Sequence, residues 1–319
     1  PPRPPLFEFF LNGPLHDRLC RGAVADDAPD AGPKTVLHAF YNAGYDYVTM
    51  GVPGFHFPAA EREHAQTVSL NDGQVIADRE SFEAYAWVDP DAADYNILDR
   101  LAPELPDGMK FIVNGPGGVE ENVIKLVGYE NLCFMMADDP ELVDDIFEGV
   151  GSRLARYYEN VVKHESVGAC ISNDDWGFKT QPLLSTAQME RYLYPWHKRI
   201  TDAIHAGGRP AILHSCGNQA TTMDVIIDEL NYDGKHSYED AIQPVEEAYE
   251  QYQGRIAVLG GIDVDFVVRG KPEDIYERSK AMLDRAADRG GYGLGTGNSV
   301  PQYVPDENYF AMMEVLNNQ

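Results

Sequence analysis

The residues best suited to chemistry stand close together at His214-Ser215-Cys216, directly after the apolar run Ala211-Ile212-Leu213 and before Gly217, which permits a tight turn. Residues two apart on an extended chain point the same way, so the imidazole and the thiol face one centre. Nitrogen and sulfur donors suit zinc, and a catalytic zinc takes about three protein ligands and keeps one position open. His236 and Glu239, at the end of the next apolar run, offer a further nitrogen or oxygen donor. The plainer alternative is a barrel-rim His with a small buried Cys for the first pair, and polar rim residues bonded to loop backbone for His236 and Glu239. Cys170 lies inside a candidate strand and reads as core.

Asp174 and Asp175 are neighbours, so their side chains diverge and one of the two is expected to enter the pocket. Two carboxylates in a low-dielectric site push one pKa upward, which suits a general acid or base. The alternative is that one of them caps a following helix. Asp263 follows Gly260-Gly261-Ile262, where the glycines allow close backbone approach to a ligand. Asn298 lies in the glycine-containing run after the last candidate strand, and Asn114 ends an earlier one. Trp176, Phe55, Phe57 and Tyr238 read as an apolar wall or as core.

Such residues need elements that bring strand ends together. Short apolar or β-branched runs alternate with longer segments of helical spacing. The candidate strands are Tyr45–Met50, Lys110–Asn114, Ala169–Ser172, Ala211–His214, Lys235–Tyr238, Ile256–Gly260 and Tyr292–Gly295, with Leu6–Leu11 as an eighth. Helices are expected over Pro140–His164, Ser185–Ala206, Ala220–Leu230, Pro244–Tyr252 and Pro272–Arg289. Ser185 and Gln188 form a capping box. Asn71-Asp72-Gly73 marks the turn of a hairpin insertion within Gln66–Ala77. This alternation implies parallel strands with helical crossovers, closed as a single α/β (β/α)8 TIM barrel over residues 1–319 with an N-terminal extension. A doubly wound sheet is less apt, because no G-x-G-x-x-G follows the first strand. In a barrel the chemistry sits at the C-terminal strand ends, where each candidate above falls.

With 319 residues, 44% of them hydrophobic, the chain can bury a large core. Its 52 acidic against 25 basic residues give a net charge of −27, which argues against nucleic acid and anionic membranes as partners. No apolar run approaches the roughly 20 residues that span a bilayer. The opening Pro1-Pro2-Arg3-Pro4-Pro5 lacks the pattern of a signal peptide and reads as a trimmed end. Four dispersed cysteines fit reduced thiols and a cytoplasmic setting.

Together these residues carry a resemblance. The chain resembles the uroporphyrinogen decarboxylase superfamily, which also contains corrinoid-dependent methyltransferases of the methylcobamide:coenzyme M type. The matching segments are Gly128-Tyr129-Glu130, Asp139-Pro140-Glu141-Leu142, Asp174-Asp175-Trp176-Gly177 leading to Pro195, His214-Ser215-Cys216-Gly217, Gly260-Gly261-Ile262-Asp263, and Gly297-Asn298 through Val304-Pro305. The resemblance implies a (β/α)8 barrel. It also separates two chemistries. The decarboxylases hold their substrate's carboxylates with an arginine-rich N-terminal motif, and Arg3, Arg18 and Arg21 do not form that pattern. A net charge of −27 also weighs against a polyanionic substrate.

The methyltransferase branch uses an H-x-C pair and a later Cys as zinc ligands. His214 and Cys216 match the pair, and Asn298 stands where the later Cys is expected. A distantly similar arrangement in cobalamin-independent methionine synthases recruits a Glu from the stretch where His236 and Glu239 fall. The resemblance therefore implies zinc held by His214, Cys216 and either Glu239 or His236. Asp174 or Asp175 would position substrate or shuttle a proton, and Asp263 would orient it. Asn114, Trp176, Tyr238 and Asn298 would line the substrate site. The expected activity is methyl transfer between a corrinoid, presented by a partner protein, or a methylated small molecule, and an acceptor. A homodimer is compatible with it. The alternatives are a metal-free decarboxylase and a non-catalytic corrinoid-binding module.

Overall fold

A computed structural model describes residues 5–59, 70–71 and 73–318. Seven parallel strands form one sheet in sequence order: β1 Tyr47–Gly51, β2 Lys110–Asn114, β3 Val167–Asn173, β4 Ala211–His214, β5 Gly234–His236, β6 Ala257–Leu259 and β7 Tyr292–Gly293. Helical crossovers join them, so the architecture is α/β with a curled, TIM-barrel-like sheet. Strands such as β4 are buried at every residue, as parallel strands covered on both faces must be. The buried apolar side chains form one cluster running from Leu6 to Val315.

The eighth strand expected at Leu6–Leu11 is a correction, because that segment makes only single bridges, Leu6 to Leu294 and Leu11 to Val300. It nevertheless stands in the gap between β7 and β1. Phe7 N donates to Leu294 O at 2.7 Å, while on the other side the Tyr47 hydroxyl donates to Glu8 O at 2.8 Å and accepts from Glu8 N at 2.6 Å. A side chain therefore replaces one ladder. Gly295 permits the approach, since a Cβ there would lie 1.7 Å from Phe7 O. Of the hairpin expected over 66–77, Gln66–Ser69 and Asp72 lie outside the described residues. The arm Gln74–Ile76 is not a strand, and Val75 and Ile76 both donate to Leu126 O.

Helix boundaries follow local chemistry. Asp139 caps Leu142 N at 3.0 Å and Pro140 opens the helix Pro140–Val161. Ser185 and Gln188 form their capping box. The helix expected over Ser185–Ala206 is interrupted by a π turn at Met189–Leu193. Pro195 has no N–H to give to the preceding turn, and Tyr194 N reaches back to Met189 O. Ala220–Leu230 likewise contains a π turn, Val225–Glu229. Among the described residues, no helix is long and apolar enough to cross a membrane.

Candidate metal centre

β3 and β4 run in parallel with Asn173 opposite His214. Two residues further on, Asp175 therefore comes beside Cys216. Asp175 Oδ1 accepts from Cys216 N at 2.8 Å and lies 3.9 Å from His214 Nε2, and Cys216 Sγ is 3.7 Å from that same nitrogen. The sulfur, nitrogen and oxygen all lie within 4.8 Å of one another. Metal–ligand lengths for tetrahedral zinc require a sulfur–nitrogen separation of about 3.6 Å. The pair is spaced to bind with little movement.

The protonation pattern also suits a ligand. Burial pushes the His214 pKa down to about 4 and that of His236 well below its usual value, so both imidazoles are neutral. His236 Nε2 faces the Thr296 carbonyl at 3.4 Å. A carbonyl only accepts, so the His236 proton sits on Nε2 and its Nδ1 is an acceptor. His214 Nδ1, 2.8 Å away, must then carry the other proton. This assignment leaves the lone pair of His214 Nε2 bare toward Asp175 and Cys216, with its ring oriented from behind as metal-bound imidazoles are. Burial, and then the Asp175 carboxylate, raise the Cys216 thiol to about 12. A divalent cation between the three groups reverses that logic and deprotonates the thiol. The donor set fits zinc.

Two of the expected ligands are therefore placed differently. The Glu239 carboxylate pairs with Lys179 Nζ at 3.3 Å, and His236 stands behind His214. Asn298 Nδ2 donates to Cys216 Sγ at 3.2 Å, and Asn298 also lines a cleft of about 840 Å³ with Phe10, Tyr238, Glu239, Asp263, Phe266 and Tyr303. Asp263 Oδ1 caps the helix Val264–Arg269 through Phe266 N, and its Oδ2 accepts from Asp240 N. Trp176 is fully buried against His197, and Asn114 donates to Gly115 O within its own loop. Phe55 and Phe57 are core, stacked on Tyr157 and set edge-on to Trp87.

Asp174 turns away from Asp175. Its carboxylate accepts from Glu120 N and Glu121 N, each at 2.9 Å, at the start of the helix Val119–Val127, and from His197 Nε2 at 2.8 Å. It caps a preceding helix rather than a following one, and holds one wall of the site. The groups that sequence reasoning missed are buried and titratable. Glu121 is raised to about 8 by burial and then by Asp174, and both oxygens of Glu120 lack a hydrogen-bond partner. Lys235 lies fully enclosed in β5, where burial brings it down to about 8. Their signal was an acidic pair one residue after Gly117-Gly118, and the lysine that opens the expected strand Lys235–Tyr238.

Comparison with known proteins agrees with this architecture. A family model described as uroporphyrinogen decarboxylase (URO-D) matches residues 76–319. A methylcobamide:CoM methyltransferase of Methanosarcina acetivorans is 28% identical over 135 residues, which are 40% of this chain but only 36% of that protein's length. A uroporphyrinogen decarboxylase of Anaeromyxobacter is 25% identical across 70% of this chain and 67% of its own. A solved methyltransferase structure from Methanosarcina mazei superposes with a TM-score of 0.70, covering 99% of this chain and 94% of that one at 15% identity. On the family-model match over residues 76–319, most of its length, the chain belongs to the uroporphyrinogen decarboxylase family.

Proposed function

We propose that the chain is a methyltransferase acting, as a single domain, at a zinc held by Asp175, His214 and Cys216. It would move a methyl group between a corrinoid carried by a partner protein, or a methylated small molecule, and a thiol acceptor. The observation that carries this reading is the convergence of one sulfur, one imidazole nitrogen and one carboxylate oxygen within 4.8 Å at the strand ends. Zinc there supplies Lewis acidity that lowers the pKa of a bound thiol. The chain's own part is positional. His236 orients His214, Asp174 fixes the loop that carries Asp175, and Asn298 joins the centre to the cleft. Glu239, Asp240, Asp263 and Asp265 outnumber Lys179 and Arg269 in the cleft lining, and this net acidic balance suits a neutral or cationic methyl compound rather than a polyanion. Its four described cysteines are free thiols, which supports a reducing, cytoplasmic setting.

The test is methyl transfer from methylcobalamin to small thiols, measured before and after chelation. Activity that disappears with chelator and returns with zinc supports the reading. Transfer that persists unchanged after complete metal removal contradicts it. The decarboxylase relative spans more of the chain than the methyltransferase relative, so uroporphyrinogen turnover in the presence of chelator is the competing outcome.

A further inference from the structure

Lys235 supplies a charge beneath Cys216 to which no role has yet been assigned. It is 3% exposed, and an ammonium in that position is costly unless its protons are all directed at partners. Its Nζ donates to the carbonyls of Ser215, at 3.3 Å, and Ser237, and stands 4.4 Å over the Tyr238 ring. Both carbonyls belong to residues that define the surroundings of Cys216. Ser215 precedes it in the chain, and Ser237 Oγ donates to its Sγ at 3.4 Å. Ser237 also adopts φ 83°, the left-handed region that non-glycine residues avoid. Such a conformation persists where the surroundings impose it, and it collects at functional sites.

We propose that Lys235 is a positioning residue for the metal-binding thiolate. By holding the Ser215 and Ser237 carbonyls, it keeps Ser237 in its left-handed conformation with Oγ on Cys216 Sγ. The sulfur then carries two hydrogen bonds, one from Ser237 and one from Asn298 at 3.2 Å. Donors at a thiolate draw charge from it, so the sulfur gives less to the metal and leaves it a stronger Lewis acid. This inference rests on the zinc reading above.

The experiment loads the full-length chain with cobalt(II) and records the thiolate-to-cobalt charge-transfer band, together with competition for the metal against a chromophoric chelator. Two variants are compared with wild type. Lys235→Met keeps an unbranched stem without charge, and Ser237→Gly fits φ 83° without strain but removes Oγ. Both are expected to shift the band to lower energy, as the sulfur loses a hydrogen bond, and to weaken metal retention by about tenfold, the lower range for lost outer-sphere partners, because the same hydrogen bond favours the thiolate over the thiol and holds it in place. Circular dichroism checks that each variant is folded. If Lys235→Met does not fold, Ser237→Gly decides alone, since glycine is at ease in that conformation. A wild-type band retained unchanged in the folded variants overturns the role of Lys235. Absence of the band in wild type overturns the metal reading, and this role with it.

Discussion

Alanine at Asp174 is expected to destabilise the protein by roughly 3–5 kcal/mol, whereas alanine at the adjacent Asp175 leaves the fold near wild type and removes the zinc. The Asp174 side chain is fully buried, and its loss leaves Glu120 N, Glu121 N and His197 Nε2 without their acceptor. His197 passes the constraint on to the Tyr232 hydroxyl at 2.7 Å, so a buried chain comes apart. Total stabilities of domains are about 5–15 kcal/mol, which makes this a large fraction. The Asp175 side chain is 43% exposed and accepts one hydrogen bond, from Cys216 N, worth about 1 kcal/mol. Urea midpoints of chelator-treated proteins separate the two effects, and metal analysis of untreated samples reads the second. Equal destabilisation by both substitutions, or full zinc retention in Asp175→Ala, would contradict these assignments.

Glu8→Gln is expected to stabilise the protein above neutral pH by as much as about 5 kcal/mol. Burial raises the Glu8 carboxyl from 4.5 to about 8, so it is protonated in the folded chain at neutrality. Below pH 4.5 both folded and unfolded states hold the proton and nothing is lost. Between 4.5 and 8 only the unfolded carboxyl ionises, so wild-type stability falls as pH rises, by at most about 1.4 kcal/mol per unit. Glutamine reproduces the neutral group, accepting from Thr296 N and donating to Thr296 Oγ1 where Glu8 now sits at 2.6 and 2.8 Å. The neutral His214 and His236 act on the acid side instead, where stability falls as they are forced to charge. Thermal midpoints of the two proteins should therefore coincide near pH 4.5 and diverge toward pH 8. Parallel curves across that range would show that Glu8 is not held neutral.

The difference between what could be read from the residues and what could not is physical. β2 and β4 have the expected bounds, Lys110–Asn114 and Ala211–His214, because each is a dense apolar run ended by a turn signal. The convergence of His214 and Cys216 follows from the period of an extended chain. β5 ends two residues early because Ser237 turns into the left-handed region, for which no residue-type signal existed. The third member of the proposed zinc set was not legible either. Asp175 reaches Cys216 through the register of β3 on β4, a long-range pairing that no local pattern encodes. Nor does adjacency tell Asp174 from Asp175; the amides of Glu120 and Glu121 decide that, from more than fifty residues away. Glu239 had plausible spacing, but Lys179 claims it across the mouth of the cleft.

Zinc-edge X-ray absorption on protein purified without chelator tests the central claim most directly. The expected result is about one zinc per chain with a single sulfur neighbour near ~2.3 Å and lighter nitrogen or oxygen neighbours near ~2.0 Å, the sulfur lost in Cys216→Ser. Substoichiometric zinc that is indifferent to replacement of Cys216 and His214, or a shell without sulfur, would contradict the account.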